Sequence, residues 1–190
     1  MSTRGFIGFV VDGTEKITYN HFDSYPAGLG ADVLNWLRKA HHGGARRLAA
    51  ELRVVDEDSS QPTAADIEKF RGYANTRVGS QEIDDWYVLL RETQGNPGAI
   101  LDAGVMLDGS SLPTDSLFAE WGYIVDFDTD VLEAYKGFQA APHKGGRFAD
   151  RPPHHGASGY YPVRLVASWP LAELPTAEDF IAMLEPEEES

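Results

Sequence analysis

The sequence predicts an α+β domain in which an antiparallel sheet, built from two hairpins and a late strand, packs against an inserted set of helices. An apolar run at residues 6–11 reverses at Asp12 and Gly13, and an alternating run at residues 121–127 reverses at residues 128–130. The residues between these hairpins show helical apolar spacing instead. Strands, then helices, then strands again predict the α+β class.

The chain of 190 residues fits a single domain, which we place at residues 1–185, followed by an acidic tail at residues 186–190. Its formal net charge is -14, to which the glutamates of residues 185–189 contribute. Such a charge argues against a general nucleic-acid binder, because neutralising phosphates requires a basic surface. It still allows a small phosphorylated ligand in a local pocket, or an acidic surface that meets a basic partner.

Cysteine is absent, which excludes a disulfide framework, a thiolate nucleophile and a cysteine-based zinc or iron–sulfur site. The N-terminus lacks the long apolar stretch of a signal peptide, and no apolar run approaches membrane-spanning length. We therefore expect a cytoplasmic protein without a membrane partner.

The first hairpin carries a dense polar and aromatic cluster to the start of a helix. Residues 6–11 form a nearly continuous apolar run, as in a strand that is covered on both faces. The return strand, residues 14–19, leads into Tyr19, Asn20, His21, Asp23, Ser24 and Tyr25. The residue before Pro26 favours an extended or turn backbone, and two following glycines allow close approach of the chain.

This cluster has three interpretations. If the strand continued, alternation would place on one face Tyr19, His21, Asp23 and Tyr25, and on the other Asn20, Phe22 and Ser24. Two phenols, an imidazole and a carboxylate can bind a polar ligand by stacking and hydrogen bonding. The same set supports general acid–base chemistry in which His21 titrates. The third interpretation is a structural network in which Asp23 caps the following turn and His21 bonds the backbone.

Two segments carry a resemblance to a known group of proteins. They are TRGFIGFVVDGTEKITYNHFDSYPAGLG at residues 3–30 and EWGYIVDFDTDVLEAYKGF at residues 120–138. The chain resembles uncharacterised proteins of bacteriophages and actinobacteria, which share a TRG start and an NH-x-D-S-Y-P-x-GLG block, over about two thirds of its length. The resemblance implies a phage-associated role in the host cytoplasm and brings no established activity with it.

Four helices are predicted between the hairpins. Apolar spacing and capping residues place them at residues 31–40, 46–53, 62–73 and 80–93. Ser80 would cap the last of these helices. We interpret His41 and His42 as the end of the first helix, where protonated histidines interact favourably with the helix dipole, with metal ligation as the alternative. Residues 95–108 fit either a short helix followed by a loop or a poor strand.

The last third of the chain returns to strands and ends in a helix. Residues 121–127 and 131–136 form the second hairpin, which we expect to join the first in one antiparallel assembly. Residues 163–169 alternate as the late strand, and a threonine at residue 176 would cap the last helix.

A long glycine- and proline-rich loop at residues 137–159 precedes the late strand. It contains half of the histidines and several cations, namely His143, Lys144, Arg147, Arg151, His154 and His155. Loops of this length within a domain are commonly functional. Lys144 and Arg147 flank two glycines and could present cations and backbone N–H groups to a phosphate, although the Walker A pattern is missing. The alternatives are a mobile surface loop and a metal site.

The first functional hypothesis is a binding protein for a nucleotide-like or phosphorylated small molecule, whose base would stack on Tyr19 and Tyr25. We predict the ligand-binding residues to be Arg4, Tyr19, Asn20, His21, Asp23, Tyr25, Lys144, Arg147 and Arg151. A phage sponge for host immune signals is one form of this hypothesis. It leaves the identity of any cofactor unknown and the formation of a homo-oligomer open.

The second hypothesis is a hydrolase acting on a small phosphorylated or amide substrate. His21 and Asp23 could join histidines of the late loop around a metal ion. Alternatively, removal of Met1 would expose Ser2 as an N-terminal nucleophile. The third hypothesis is an acidic interaction protein that inhibits a host partner.

Overall fold

The computed structural model describes residues 3–154 and 159–185. Within these ranges the strands are β1 (Gly5–Val11), β2 (Thr14–Asn20), β3 (Arg53–Val55), β4 (Val105–Leu107), β5 (Trp121–Asp126), β6 (Val131–Lys136) and β7 (Arg164–Pro170). The α-helices are α1 (Ala31–Lys39), α2 (His42–Glu51), α3 (Ala64–Phe70), α4 (Trp86–Leu89), α5 (Pro97–Ala103) and α6 (Ala177–Leu184). Across these described ranges, no helix is long and apolar enough to cross a membrane. The predictions for Met1, Ser2, His155 and the acidic tail at residues 186–190 lie outside the described residues.

Five strands form one sheet in the order β2-β1-β5-β6-β7. Both hairpins are antiparallel, and β7 adds antiparallel to β6, which confirms the predicted α+β class and a mostly antiparallel sheet. The hairpins meet through a parallel pair, β1 with β5, which aligns Gly5 with Trp121. The sequence did not predict this parallel junction. The connection from β2 to β5 starts and ends at the same end of the sheet, because Asn20, the last residue of β2, and Trp121, the first residue of β5, are both aligned with Gly5.

Both faces of the sheet are buried at β1, as its continuous apolar run predicts. Ile7 and Phe9 pack in a core formed with α1, α2, α5 and α6. On the opposite face, Phe6 and Val10 pack with Phe148 of the long late loop. Phe148 is completely buried, so this part of the loop is a component of the core.

A smaller sheet pairs β3 with β4 in parallel, and a separate apolar cluster joins it to α3 and α4. Residues 95–108 form α5 followed by β4, so the two alternatives left open by the sequence occur one after the other. Arg53, predicted as the end of a helix, instead begins β3 because α2 ends at Glu51.

The helix predicted at residues 80–93 is wrong in its extent. The described α-helix there is α4, which is followed by a 3₁₀ turn at Arg91–Thr93. Its cap is Asp85, whose carboxylate accepts hydrogen bonds from two backbone N–H groups of α4, and not Ser80. Gln81 has a φ of 63°, which lies outside the range of a right-handed helix and prevents an earlier start.

The interpretation of the paired histidines is also wrong for His41. It is the N-cap of α2, where its Nδ1 accepts a hydrogen bond from the Gly44 N–H group at 3.0 Å. A protonated histidine would be unfavourable at this end of a helix dipole. His42 does contact the first helix, because its Nε2 lies 2.9 Å from the carbonyl oxygen of Leu37 in the last turns of α1.

Candidate functional site

The polar cluster begins where β2 ends, so strand alternation does not continue through it. Asn20 is the last residue of β2, is buried, and donates from its amide to the Phe22 carbonyl (2.5 Å) and the Ser24 hydroxyl (2.9 Å). The buried Tyr123 hydroxyl donates to the Ser24 carbonyl oxygen at 3.1 Å. These hydrogen bonds connect the turn at residues 20–25 to the core, and they occupy the amide hydrogens of Asn20.

The same turn closes tightly against the helical turn that follows it. Asp23 has a φ of 52°, and its carbonyl oxygen accepts a hydrogen bond from the Leu29 N–H group at 2.8 Å. A Cβ atom at residue 28 would lie 2.2 Å from that oxygen, so glycine is required there. The block NH-x-D-S-Y-P-x-GLG therefore has a structural basis, because Asn20 and Gly28 both permit this tight turn.

Four rings follow one another across this end of the sheet, and we call Phe22, His21, Tyr19 and Phe118 the aromatic row. The centroids of successive rings are 4.1, 5.8 and 5.6 Å apart. The Tyr19 hydroxyl and His21 Nδ1 lie 2.8 Å apart, within hydrogen-bonding distance. Phe22 is 51% exposed and the other three rings are half-buried, so the row offers aromatic surface to a planar ligand.

An arginine lies over each end of the aromatic row. The Cζ atom of Arg91 is 5.6 Å from the centre of the Phe22 ring, and that of Arg4 is 4.3 Å from the centre of Phe118. Among the residues that the structure describes, no carboxylate oxygen lies within 4.0 Å of either guanidinium group. The Glu120 carboxylate instead accepts from the backbone N–H group of Arg4, at 3.3 Å. Both side chains retain N–H donors in the plane of the guanidinium group.

Arg91 comes from the 3₁₀ turn after α4 and lies between two rings, because its Cζ atom is also 5.7 Å from the centre of Tyr87. Its Nη1 donates to Gln94 Oε1 at 2.6 Å. Its Nε is buried and has no hydrogen-bond partner within the described part of the chain. A buried donor without a partner costs about 1–3 kcal/mol.

Beside Arg91 lies a cavity of about 310 Å³, which we call the cleft and which falls in the size range of small-molecule sites. Phe22 and Tyr25 contribute exposed rings to the cleft, and Asp23 and Asp32 contribute carboxylates. A second cavity of about 510 Å³ adjoins it along α1, because Asp32 lines both. The cleft therefore combines aromatic surface, one cation and two acidic groups.

Both arginines affect the titratable groups of the aromatic row. Burial lowers the pKa of His21, and the charges of Arg91 and Arg4 lower it further. Burial and a neighbouring tyrosine raise the pKa of Tyr19, against the opposing effect of the same two arginines. Both guanidinium groups thus act on the same imidazole, and a bound anion would reduce their effect. In the cleft, burial raises the pKa of Asp32.

Arg147, which the sequence suggested as a phosphate ligand, is held by carboxylates. Its guanidinium nitrogens lie 2.5 Å from Asp126, 2.9 Å from Glu133 and 3.8 Å from Glu15. Glu15 precedes Tyr19 by four residues on β2, which places Arg147 about 13 Å from the aromatic row. The positive charge of Arg147 is therefore used inside the protein.

The other two cations of the late loop are also placed away from the aromatic row. Arg151 pairs with Glu15 at 2.7 Å. Lys144 is exposed beside β7, where the carbonyl oxygen of Gly145 accepts a hydrogen bond from the start of the strand at 3.0 Å. Because β7 and β2 are opposite edges of a five-stranded sheet, they lie about 19 Å apart. The structure does not bring the three loop cations to the Tyr19 end.

The loop histidines take part in local contacts. His143 Nε2 lies 2.8 Å from the Pro162 carbonyl oxygen, and His154 Nδ1 lies 3.7 Å from Asp115. Within residues 3–154 and 159–185, no group of three or more histidine, aspartate or glutamate side chains is arranged to hold a metal ion. The predicted metal site of His21 and Asp23 with the loop histidines therefore has no ligand set among those residues.

A separate cavity of about 360 Å³ is strongly acidic. The carboxylates that line it are Glu57, Asp58, Glu82, Asp84 and Asp85. Burial raises the pKa of Glu57, and the charges of neighbouring aspartates raise it further. If the chain has a basic partner, this surface carries the charge to meet it.

Sequence reasoning missed Phe22, Phe118 and Arg91 as site residues. Alternation assigned Phe22 to the face opposite Tyr19, but the strand ends before alternation applies. Phe118 and Arg91 lie far from Tyr19 in the sequence, and no local motif marks either of them. Only the pairing of β1 with both β2 and β5 brings Phe118 beside Tyr19.

Comparisons with protein-family models, curated proteins and solved structures found no match for the chain. The resemblance to phage and actinobacterial proteins therefore stays a prediction. A function has to be inferred from the chemistry of the aromatic row and the cleft.

Proposed function

We propose that this chain binds a small anionic ligand of nucleotide-like chemistry in the cleft. The observation that carries the proposal is the environment of Arg91: a cation beside aromatic rings, with no carboxylate within 4.0 Å among the described residues, that lines a cavity of about 310 Å³. An anionic group in the cleft would balance this positive charge.

The exposed rings favour a ligand that also carries a planar group. Phe22 and Tyr25 are 51% and 36% exposed where they line the cleft. Stacking of a base on an aromatic side chain is worth about 1–3 kcal/mol, and every base presents a suitable face. A nucleotide supplies both the planar ring and the anionic group.

The two carboxylates of the cleft define the orientation of such a ligand. Asp23 and Asp32 would repel a phosphate placed against them, so we place the phosphate at Arg91. Ribose hydroxyls and exocyclic amino groups are donors that a carboxylate can accept.

The proposal retains part of the set identified from the sequence, because Asn20, Asp23 and Tyr25 line the cleft together with Arg91. Tyr19 and His21 belong to the adjoining aromatic row. Arg91 takes the role that the sequence assigned to the loop cations. A phage protein that sequesters host immune nucleotides is one form of this proposal, which requires that the ligand be released intact on denaturation.

The test is calorimetric titration of the protein with AMP. We expect Arg91→Ala and Phe22→Ala each to weaken AMP binding by about tenfold, equivalent to the loss of about 1.4 kcal/mol. Arg151→Ala is the matched control, because this arginine also lies over a ring, that of Phe148 at 4.7 Å, but is paired with a carboxylate. Unchanged affinity in both cleft variants, or no AMP binding to the wild type, would contradict the proposal.

Mass spectrometry of the AMP complex after denaturation separates binding from turnover. Recovery of intact AMP supports a binding protein. Conversion of AMP to adenosine and phosphate would instead favour the hydrolase hypothesis, and His21→Ala would then be the first variant to assay.

A second candidate function, inhibition of a basic partner, has one specific observation in its favour, the acidic cavity of about 360 Å³. Glu82→Lys combined with Asp84→Lys would reverse part of its charge. A partner that binds there should be released by this double variant and by high salt, whereas Arg91→Ala should leave it bound.

A further inference from the structure

The geometry points to a linear dinucleotide, a ligand with two bases and two anionic groups, bound along the aromatic row with one anionic group at Arg91 and the other at Arg4. This inference rests on the proposed function and extends it to a second binding position. A mononucleotide in the cleft would use only one of the two arginines.

The aromatic row extends beyond the cleft. Three ring-to-ring steps of 4.1, 5.8 and 5.6 Å separate Phe22 from Phe118. The residues that line the cleft include Phe22 but not His21, Tyr19 or Phe118. A single nucleotide in the cleft with its phosphate at Arg91 therefore leaves the far part of the row, where Arg4 lies over Phe118, without a ligand.

The guanidinium group of Arg4, at the far end of the aromatic row, has no carboxylate partner among the described residues. Arg4 is half-buried and lies 4.3 Å from the centre of the Phe118 ring, with no carboxylate within 4.0 Å of its guanidinium group among the described residues. By contrast, Arg46, Arg53, Arg147 and Arg151 all pair with carboxylates. In a chain with a net charge of -14, a half-buried arginine without such a partner is suited to an external anion.

The two ends of the aromatic row are linked electrostatically through His21. Arg4 and Arg91 both shift the pKa of His21, which lies between them in the row and is hydrogen-bonded to Tyr19. An anion at either arginine therefore changes the electrostatic environment of the same imidazole. A ligand with two anionic groups would place one of them beside each arginine.

The class of ligand follows from the shape and charge of the surface. Exposed rings stack only with bases that are unpaired, which excludes a duplex. The acidic character of the whole chain disfavours a long single strand, whose further phosphates would meet acidic surface. A short linear ligand with two bases satisfies both conditions.

The experiment compares AMP with 5′-phosphorylated diadenylate, pApA, by calorimetric titration of the full chain. We expect pApA to bind at least about tenfold more tightly than AMP, because it reaches both arginines. Arg4→Gln should reduce pApA affinity to that of AMP and leave AMP binding unchanged. Arg91→Ala should weaken both ligands, and Arg151→Ala should weaken neither.

A second variant covers the case in which Arg4→Gln fails to fold. Phe118→Leu keeps apolar bulk but removes the ring beneath Arg4, and it should cause the same selective loss of pApA affinity. If AMP binds but pApA binds no more tightly, or if both far-end variants leave pApA affinity unchanged, the dinucleotide inference is overturned while the proposed function stands. If neither ligand binds the wild type, the proposed function is overturned as well.

Discussion

Arginines have different surroundings at the two ends of β2. Arg147 is surrounded by three carboxylates from β2, β5 and β6, and it fastens the late loop to the sheet. Arg4 and Arg91 lie over aromatic rings at the opposite end of β2, with no carboxylate within 4.0 Å of either in the described parts of the chain. The first arrangement satisfies its cation internally, and the second leaves guanidinium donors for a ligand.

This difference reverses the expectation drawn from sequence context. Arg147 lies in a glycine-rich loop with other cations and was therefore predicted to bind phosphate. Arg91 lies in a segment predicted as a core helix and was not considered. The availability of an arginine for a ligand depends on which carboxylates surround it, and distant strands supply those carboxylates.

The largest effect that tests this comparison is expected for Arg147→Met. The substitution leaves Asp126, Glu133 and Glu15 close together without their cation, and removing one partner of a largely buried ion network costs about 3 kcal/mol or more. Urea unfolding should show that loss, while AMP affinity of the folded variant should equal that of the wild type. A loss below about 1 kcal/mol would show that the network is not needed for stability.

The pH dependence of the same variant provides its control. Burial would raise the pKa of Asp126, but hydrogen bonds from Arg147 and from backbone N–H groups outweigh burial and lower it. The stabilising contribution of a carboxylate with a lowered pKa is present above its ordinary pKa and disappears as pH falls through the lowered value. The stability difference between wild type and Arg147→Met should therefore shrink as pH falls below about 4, the ordinary pKa of an aspartate.

Arg91→Ala should show the opposite pattern and the next largest effect. We expect an AMP affinity about tenfold weaker than that of the wild type and a smaller loss of unfolding free energy than Arg147→Met causes. Titration and urea unfolding of both variants would form a crossed pair. If Arg91→Ala and Arg147→Met reduced AMP affinity equally and also reduced the unfolding free energy equally, the proposed division between the two regions would be wrong.

Arg151→Ala should have a smaller effect, on stability alone. Its guanidinium group pairs with Glu15 near the surface, and partly exposed pairs contribute about 0.2–1 kcal/mol. Urea unfolding should detect a loss in that range, which decreases at high salt. Both arginines contact Glu15, so a loss as large as that of Arg147→Met would show that Arg151 is as important to this ion network as Arg147.

The smallest effect is expected from the protonation of His21. Its pKa lies below the ordinary value without ligand, and a bound anion would raise it, so binding takes up a proton. Affinity for AMP should therefore increase as pH falls from 8 to 6. Comparison with His21→Gln removes the contribution of the phosphate, whose own second pKa is near 6. An identical pH profile in both proteins would exclude this role of His21.

Part of the site could be read from the sequence because its information is local. The block from Asn20 to Gly30 encodes a turn in which an amide closes on nearby backbone and a glycine avoids a clash at 2.2 Å. The continuous apolar run of the first hairpin, the alternating run of the second and the turn residues of both are also local, so the sequence identified both hairpins. The wrong extent of α4 and the wrong role of His41 came from capping side chains, whose partners a periodic pattern does not specify.

The sequence by itself determined that this chain forms an α+β domain with two hairpins, and that its polar and aromatic residues concentrate near Tyr19. Hydrophobic periodicity and turn residues act over short distances, so they are visible in the order of the amino acids. The tertiary structure decided that Phe118 joins the aromatic row, that Arg91 lies over the Phe22 end of the row, and that Arg147 is surrounded by carboxylates elsewhere. Those outcomes depend on the parallel pairing of β1 with β5 and on the carboxylates this pairing aligns, and contacts between distant segments leave no local pattern in the sequence.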